Sequence, residues 1–250
     1  MSNTINIRQA EEFYLMNRPK RKKRTELYVS DLGNHPWKFM NRVIHQAETD
    51  FPINVLDIME QGSVLEAQVI TALQRSHANV MTQFPLHNDI WSGYADIVIG
   101  HGTDDVLIAD IKHTSNAWFD YKSSLPRAAH ICQIWMYGYL YREMFGVTPK
   151  LKLYYKAWGQ YAELDVIVSE TSATATGYIA VKKRGSKSVE PTPVMRTKRI
   201  ACDLLRQQAE SLFNDRAMPD DLMFIDPETW DYAEEVYEHL IATNEEDLPF

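Results

Sequence analysis

The chain has 250 residues, 45% of them hydrophobic, and is long enough to bury a full core as one domain with or without appendages. No run approaches the roughly 20 apolar residues of a membrane span, and residues 1–15 lack the charged and apolar regions of a secretory signal. Only Cys132 and Cys202 are present, which excludes a disulfide framework and fits a reducing compartment. These features predict a cytoplasmic protein that does not enter a membrane.

Charge is unevenly distributed along the chain. The net charge is −8, but residues 217–250 hold eleven Asp and Glu and no Lys or Arg, which leaves +3 for the first 216 residues. Two segments are basic: residues 18–24 (RPKRKKR), and residues 182–199, which carry seven Lys and Arg against one Glu. Basic patches are typical of phosphate binding; the alternatives are solvated loops for both segments and a nuclear-localisation patch for the first.

Hydrophobic periodicity, turn residues and capping residues predict most of the elements. In chain order the sequence predicts helices over 1–16 and 57–76, strands over 80–87, 92–100 and 105–114, a helix over 126–146, strands over 151–159 and 162–169, and helices near 200–213 and over 229–242. Ser30 or Asp31 is a possible helix start and Asp57 a possible N-cap, while Gly146 is expected as a C-cap. Residues 170–199 are Ser/Thr-rich and basic, and we expect a partly mobile loop there.

This order of elements predicts three regions of the chain. Residues 1–56 form an N-terminal helical and basic segment, and residues 57–170 form the core. Residues 171–250 provide a basic loop, a helix and an acidic helical region packed on that core. Helix, three strands, helix and two strands predict an α/β domain around a small mixed β-sheet flanked by helices.

Several ionisable residues interrupt the apolar pattern. Asp110 and Lys112 share one face of a strand that is otherwise apolar, and Asp96 lies in the preceding strand of the same hairpin. Glu66 lies on the apolar stripe of the helix over 57–76. Burying such groups without partners is costly, so the carboxylates need a salt bridge, a shared proton or a metal ion.

Two arrangements of these groups can be compared. A buried salt bridge between Asp110 and Lys112 would support the fold alone, but it leaves Asp96 and Glu66 unexplained. A hard divalent cation held by the carboxylates accounts for all the acids and is the way Mg2+ is bound beside phosphates. Lys112 would then orient a water molecule or stabilise charge on a phosphate.

The residues in these elements resemble a known family. The segments "GYADIVIG" and "ADIKHT" are similar to the Asp and Asp/Glu-x-Lys motifs of the PD-(D/E)XK nuclease superfamily. "GSVLEAQV" and "QIWMY" are similar to the Gly-x-x-x-Glu and Gln-x-x-x-Tyr motifs of its RecB-like exonuclease branch, including phage and CRISPR-associated relatives. The resemblance covers about residues 57–170 and implies a restriction-endonuclease-like core.

The resemblance implies a Mg2+- or Mn2+-dependent deoxyribonuclease, most often an exonuclease, in a bacterial cell or a virus-infected bacterial host. The implied catalytic residues are Glu66, Asp96, Asp110, Lys112, Gln133 and Tyr137. The implied metal ligands are the carboxylates of Glu66, Asp96 and Asp110 with the backbone carbonyl of Ile111. The expected DNA contacts are Arg18, Lys20, Arg21, Lys22, Lys23, Arg24, Lys182, Lys183 and Arg184 in the basic segments, and His130 beside Gln133 on its helix.

The chain departs from the family in two respects. Asp110 stands where Glu is more frequent, and the four cysteines that hold an iron–sulfur cluster in CRISPR-associated relatives have no equivalent here. No iron–sulfur cluster is therefore expected, and Cys132 is predicted to be a core residue. For His130, an ordinary hydrogen-bonding role is the alternative to a place in the site.

Two other functions stay open at this stage. The same core could belong to a structure-specific or restriction-type endonuclease, or to a protein that binds nucleic acid or a partner without cutting. The acidic region 217–250 is predicted to pack a helix on the core. It could instead face a basic partner or the DNA-binding cleft and restrain the enzyme.

Overall fold

A computed structural model describes Tyr14 and residues 25–33, 53–76, 79–114, 125–157, 160–169, 172–182, 189–193 and 198–215. The helices with described bounds are α1 (Ile53–Ser76), α2 (Ala128–Phe145) and α3 (Cys202–Asp215), and a 3-10 turn covers Val29–Asp31. The strands are β1 (Leu27–Tyr28), β2 (Val80–His87), β3 (Trp91–Ile99), β4 (Leu107–His113), β5 (Lys150–Ala157), β6 (Gln160–Val168), β7 (Ala173–Lys182), β8 (Val189–Pro193) and β9 (Lys198–Ile200).

All nine described strands belong to one mixed sheet, with the main order β1-β3-β4-β5-β6-β7-β8. β2 adds to β3, and β9 adds to β7. The β1–β3 and β4–β5 pairs are parallel, and the others are antiparallel. The parallel β4–β5 pair requires a crossover, and α2 lies within that connection.

The sheet separates two apolar cores. The larger one packs α2 and α3 against one face and includes Trp91, Ile108 and Leu153. The smaller one packs α1 against the other face through residues such as Ile97 and Ile111. None of the described helices is long and apolar enough to cross a membrane.

The α/β class, with a mixed sheet flanked by helices, is confirmed. The strands predicted over 80–87, 92–100, 105–114, 151–159 and 162–169 all form, with ends shifted by a few residues. Gly146 caps α2 in the left-handed conformation, with φ 73°, as predicted. The buried position of Cys132 is also confirmed.

Several local predictions are wrong. Residues 170–199 contain strands β7 and β8 and the start of β9, so the sheet is larger than the small one predicted and continues beyond residue 170. Asp57 is not an N-cap, because α1 begins at Ile53, and the Asp57 carboxylate accepts a hydrogen bond from Gln61 inside the helix. Asp31 ends a 3-10 turn rather than starting a helix. The helices predicted over 1–16 (Tyr14 aside) and 229–242 lie outside the described residues.

Candidate active site

The predicted site residues meet where strands β3 and β4 separate. The two strands pair only at the hairpin end, from Ile97 with Ala109 to Ile99 with Leu107. Beyond that point β3 continues its pairing with β2, and β4 continues its pairing with β5 up to His113. The sheet therefore forks beyond the Ile97–Ala109 pair. Side chains of β3 and β4 near this branch point lie where no backbone hydrogen bonds join the two strands.

The pleat of the β2–β3 hairpin reverses at the same place. Val80 and Phe84 are four residues apart on β2, and Ile97 and Ala95 are two apart on β3, so regular strands would turn both members of each pair to the same face. Instead, Val80 and Ile97 pack in the core beside α1, and Phe84 and Ala95 pack in the core beside α2. Side chains alternate strictly in a regular strand, so the alternation must break between them. The break coincides with Gln83, whose φ of 48° lies in the left-handed region.

Asp96 holds the two branches of the fork together. It is the residue of β3 opposite Gln83, at the position that the β2–β3 pairing skips. Its Oδ2 accepts a hydrogen bond of 2.7 Å from the backbone N–H of Ile111 on β4. The carboxylate thus replaces a missing ladder bond between the two strands.

Asp110 and Lys112 form the ion pair that the strand pattern allows. Lys112 Nζ lies 2.8 Å from Oδ2 of Asp110 and donates a hydrogen bond of 3.1 Å to Oδ1. The Asp110 side chain is 1% exposed and that of Lys112 is 18% exposed. The ammonium is therefore the part of the pair that reaches solvent, and the carboxylate is enclosed by the core.

Helix α2 completes this arrangement from the side of the larger core. Gln133 Oε1 accepts a hydrogen bond of 2.8 Å from Lys112, and Gln133 Nε2 donates one of 3.1 Å to the Tyr137 hydroxyl. Gln133 and Tyr137 are four residues apart and so lie on one helical face. A continuous chain of contacts therefore runs from Asp110 through Lys112 and Gln133 to Tyr137.

Helix α1 brings Glu66 to the fork from the opposite face of the sheet. A Cβ added to Gly62 would lie 3.4 Å from the Cβ of His113 at the end of β4, so the helix backbone passes close to the strand there. Glu66 is one helical turn further, on the same face. The Gly-x-x-x-Glu spacing thus has a physical reason: a small residue at position 62 fits the close approach of α1 to β4, and Glu66 follows one turn later on the same face.

Gln83 belongs to the site and was missed in the sequence. Its Nε2 donates a hydrogen bond of 2.9 Å to Glu66 Oε1 and lies 3.5 Å from Asp96 Oδ1. In "VMTQFPLH" it alternates with Met81 and Pro85, as an ordinary exposed strand residue would. No sequence signal identifies its left-handed backbone, because glycine and asparagine are the residues expected there.

The electrostatics of the fork show that the carboxylates interact. Burial, followed by repulsion from Asp110, raises the pKa of Asp96 to about 8. The same two causes, in the same order, raise the pKa of Glu66. Burial also raises the pKa of Asp110, against the opposing effect of Lys112. One ammonium therefore faces three carboxylates, and the site has an excess of negative charge when all of them are ionised.

Tyr137 and His130 respond to the same surroundings. Burial and the negative charge of Asp110 raise the pKa of Tyr137, so its hydroxyl stays protonated at neutral pH. Burial and the positive charge of Lys112 hold the pKa of His130 well below its usual range. His130 Nδ1 lies 2.9 Å from the Tyr155 hydroxyl, so His130 has an ordinary hydrogen-bonding partner in the core. A DNA contact by His130 stays a prediction.

Most of the predicted DNA-binding residues of the two basic segments lie outside the described part of the chain. Arg18, Lys20, Arg21, Lys22, Lys23, Arg24, Lys183 and Arg184 lie outside the described residues. Lys182 is the last residue of β7, and its side chain is not described. Their predicted DNA contacts, and the acidic region after residue 216, remain predictions from the sequence.

The chemistry of the donor set fits a hard divalent cation. Three carboxylates converge with uncompensated negative charge, and carboxylate oxygens are the ligands that Mg2+ and Mn2+ prefer. Within the described part of the chain, no group of three or more His, Cys, Asp or Glu side chains is arranged to hold a metal ion. In this structure Lys112 contacts Asp110, and Gln83 contacts Glu66.

Comparisons with known proteins give few parallels. No family model matches the chain, and no curated protein matches it. Among solved structures, the crystal structure of SSO0001 is similar at 17% identity, covering 63% of this chain and 73% of that chain, with a TM-score of 0.43. A likeness at this level carries no argument about the fold or the function of this chain.

Proposed function

We propose that the protein is a metal-dependent DNA nuclease, with exonucleolytic hydrolysis of phosphodiester bonds as the first candidate reaction. The observation that supports it is the convergence at the fork of Glu66, Asp96 and Asp110 with Lys112. A salt bridge serving only the fold needs Asp110 and Lys112 alone. The two further carboxylates add repulsion, which costs stability unless a cation is bound there.

In this proposal Glu66, Asp96 and Asp110 would hold Mg2+ or Mn2+, with the Ile111 carbonyl as a further candidate ligand. The ion would polarise the phosphate and lower the pKa of a bound water. Lys112 presents an ammonium at the solvent side of the fork, where it would orient the attacking water or stabilise negative charge on the phosphate.

Helix α2 supplies the positioning. Gln133 fixes the Lys112 ammonium through its carbonyl oxygen and fixes the Tyr137 hydroxyl through its amide nitrogen. Tyr137 remains a neutral hydrogen-bonding group beside the carboxylates, since its raised pKa prevents ionisation. These residues would orient one DNA strand across the fork.

An assay with linear duplex, circular duplex and single-stranded DNA, each with Mg2+ or Mn2+, separates the candidate functions. Cleavage of the linear duplex without cleavage of the circle indicates an exonuclease, and cleavage of the circle indicates an endonuclease. Binding without cleavage of any substrate would leave the non-cleaving protein as the function and reject the proposal.

Asp96→Ala and Lys112→Ala are the variants that test the residues. We expect each to lose cleavage by a factor on the order of 100 or more, because each removes a group that touches the reacting phosphate or its metal. Lys152→Ala is the matched control, since the Lys152 side chain is 25% exposed and forms its ion pairs with Glu163 and Asp165 of β6 rather than with the site carboxylates. Circular dichroism must show that all three variants are folded. Wild-type cleavage rates in both site variants would contradict the assignment.

A further inference from the structure

Gln83 adopts a backbone conformation that its residue type disfavours. Its φ of 48° makes it the single non-glycine residue with positive φ in the described part of the chain. A side chain with a Cβ is strained in this region, and such strain persists only where the surroundings enforce it. The conformation breaks the β2–β3 ladder opposite Asp96 and sends the Gln83 side chain toward the fork.

The Gln83 amide connects two elements that approach the fork from different directions. It donates at 2.9 Å to Glu66 on α1 and lies 3.5 Å from Asp96 on β3. The contact therefore fixes the orientation of the Glu66 carboxylate relative to β2 and keeps it on the side of the fork where Asp96 lies.

Stability alone does not account for this arrangement. The hydrogen bond from Gln83 to Glu66 is solvent-exposed, and an exposed hydrogen bond adds little to folding. The strained backbone opposes folding. A contact that costs strain and contributes little stability is expected where function requires a fixed geometry.

We propose that Gln83 is a positioning residue that holds Glu66 for cation binding, an inference that rests on the proposed metal-dependent function. Gln83 leaves the remaining lone pairs of the Glu66 carboxylate available to the ion. Partners of this kind, which hydrogen-bond to a ligand and not to the metal, typically contribute 10–100-fold to metal affinity.

Mn2+ binding without DNA tests the proposal, by calorimetry or by electron paramagnetic resonance of the free ion. Gln83→Leu removes the amide and keeps the bulk, and Gln83→Gly removes the amide and relieves the backbone. We expect both to weaken Mn2+ binding about 10-fold or more, while Gln83→Gly raises the melting temperature. Gln61→Leu is the matched control and should bind as wild type, because it removes a 3.0 Å amide–carboxylate bond to Asp57 on the same helix.

A double-mutant cycle with Glu66→Ala separates positioning from a general structural role. If Gln83 acts through Glu66, adding Gln83→Leu to Glu66→Ala causes no further loss of Mn2+ affinity. Additive losses, or wild-type affinity in Gln83→Gly, would overturn the inference while the proposed function stands. Absence of Mn2+ binding by the wild-type protein would instead reject the metal-dependent function, and the inference with it.

Discussion

At the residue scale, the Asp96 carboxylate carries an electrostatic cost in the metal-free protein. This carboxylate is held against the Ile111 N–H at 2.7 Å, yet burial and Asp110 raise its pKa to about 8. In the unfolded chain this pKa is about 3.9. Between these two values the unfolded state releases its proton first, so the carboxyl group lowers stability progressively as the pH rises through this window.

Asp96→Asn should remove this pH dependence from the metal-free protein. Asparagine can still accept the hydrogen bond from Ile111, but it carries no charge. We expect the free energy of unfolding of the variant, relative to wild type, to rise between about pH 4 and pH 8 by at most about 1.4 kcal/mol per pH unit. Above about pH 8 the difference should be constant.

Urea unfolding in EDTA at several pH values measures the effect. Asp165→Asn is the control, since Asp165 is 69% exposed on β6 and pairs with Lys152. Parallel stability profiles for wild type and Asp96→Asn would show that the Asp96 carboxylate does not carry this cost.

The residues of the site differ in how far the sequence predicts them. Asp110 and Lys112 are visible because they interrupt an apolar strand, where every polar group needs an explanation. Their mutual ion pair could be predicted from the strand alternation alone. The role of Gln83 could not be predicted, because it depends on a backbone dihedral and a reversal of the pleat that no residue type in β2 indicates.

At the element scale, the approach of α1 to β4 decides where Glu66 lies. Gly62 has room for a methyl group, because its added Cβ would make an ordinary contact at 3.4 Å with His113. Gly62→Ala should therefore keep Mn2+ binding and gain up to about 1 kcal/mol from helix propensity. Gly62→Leu should push α1 away from β4 and weaken Mn2+ binding and cleavage through the displaced Glu66.

Thermal unfolding and Mn2+ titration of both Gly62 variants test this prediction. Ala72→Leu, at an exposed position of the same helix, controls for the larger side chain. Unchanged Mn2+ affinity in Gly62→Leu would mean that the close contact between α1 and β4 does not set the position of Glu66.

The elements themselves were predictable where they carry their own apolar pattern, as β4 and α2 do. The start of β7 was missed because the buried residues described there, Ala173 and Ala175, are small and alternate with Thr174 and Thr176. The strand forms by pairing with β6 from Ala173 opposite Val168 to Ala180 opposite Tyr161. Tertiary pairing of this kind overrides a weak local propensity for strand, and single-sequence patterns do not contain it.

At the scale of the whole molecule, the C-terminal region of the sequence carries an excess of negative charge and the rest carries an excess of positive charge. The first 216 residues carry +3, and residues 217–250 carry eleven Asp and Glu with no Lys or Arg. A protein of net charge −8 can still bind DNA if its basic residues are concentrated along one path. The salt dependence of binding measures whether they are.

Charge reversal in the two basic segments should therefore weaken DNA binding and flatten its salt dependence. Each phosphate contact that is lost reduces the number of released counterions, and the slope of log K against log salt falls by about 0.9 per contact for duplex DNA. We expect Lys20→Glu with Lys22→Glu, and Lys183→Glu with Arg184→Glu, each to reduce the slope. Mn2+ affinity should not change, since none of these residues belongs to the proposed metal-binding residues. Fluorescence anisotropy from low to moderate salt gives the slope. A wild-type slope with the charges of all four residues reversed would indicate that both segments are solvated loops. Other residues around the fork would then have to contact the DNA.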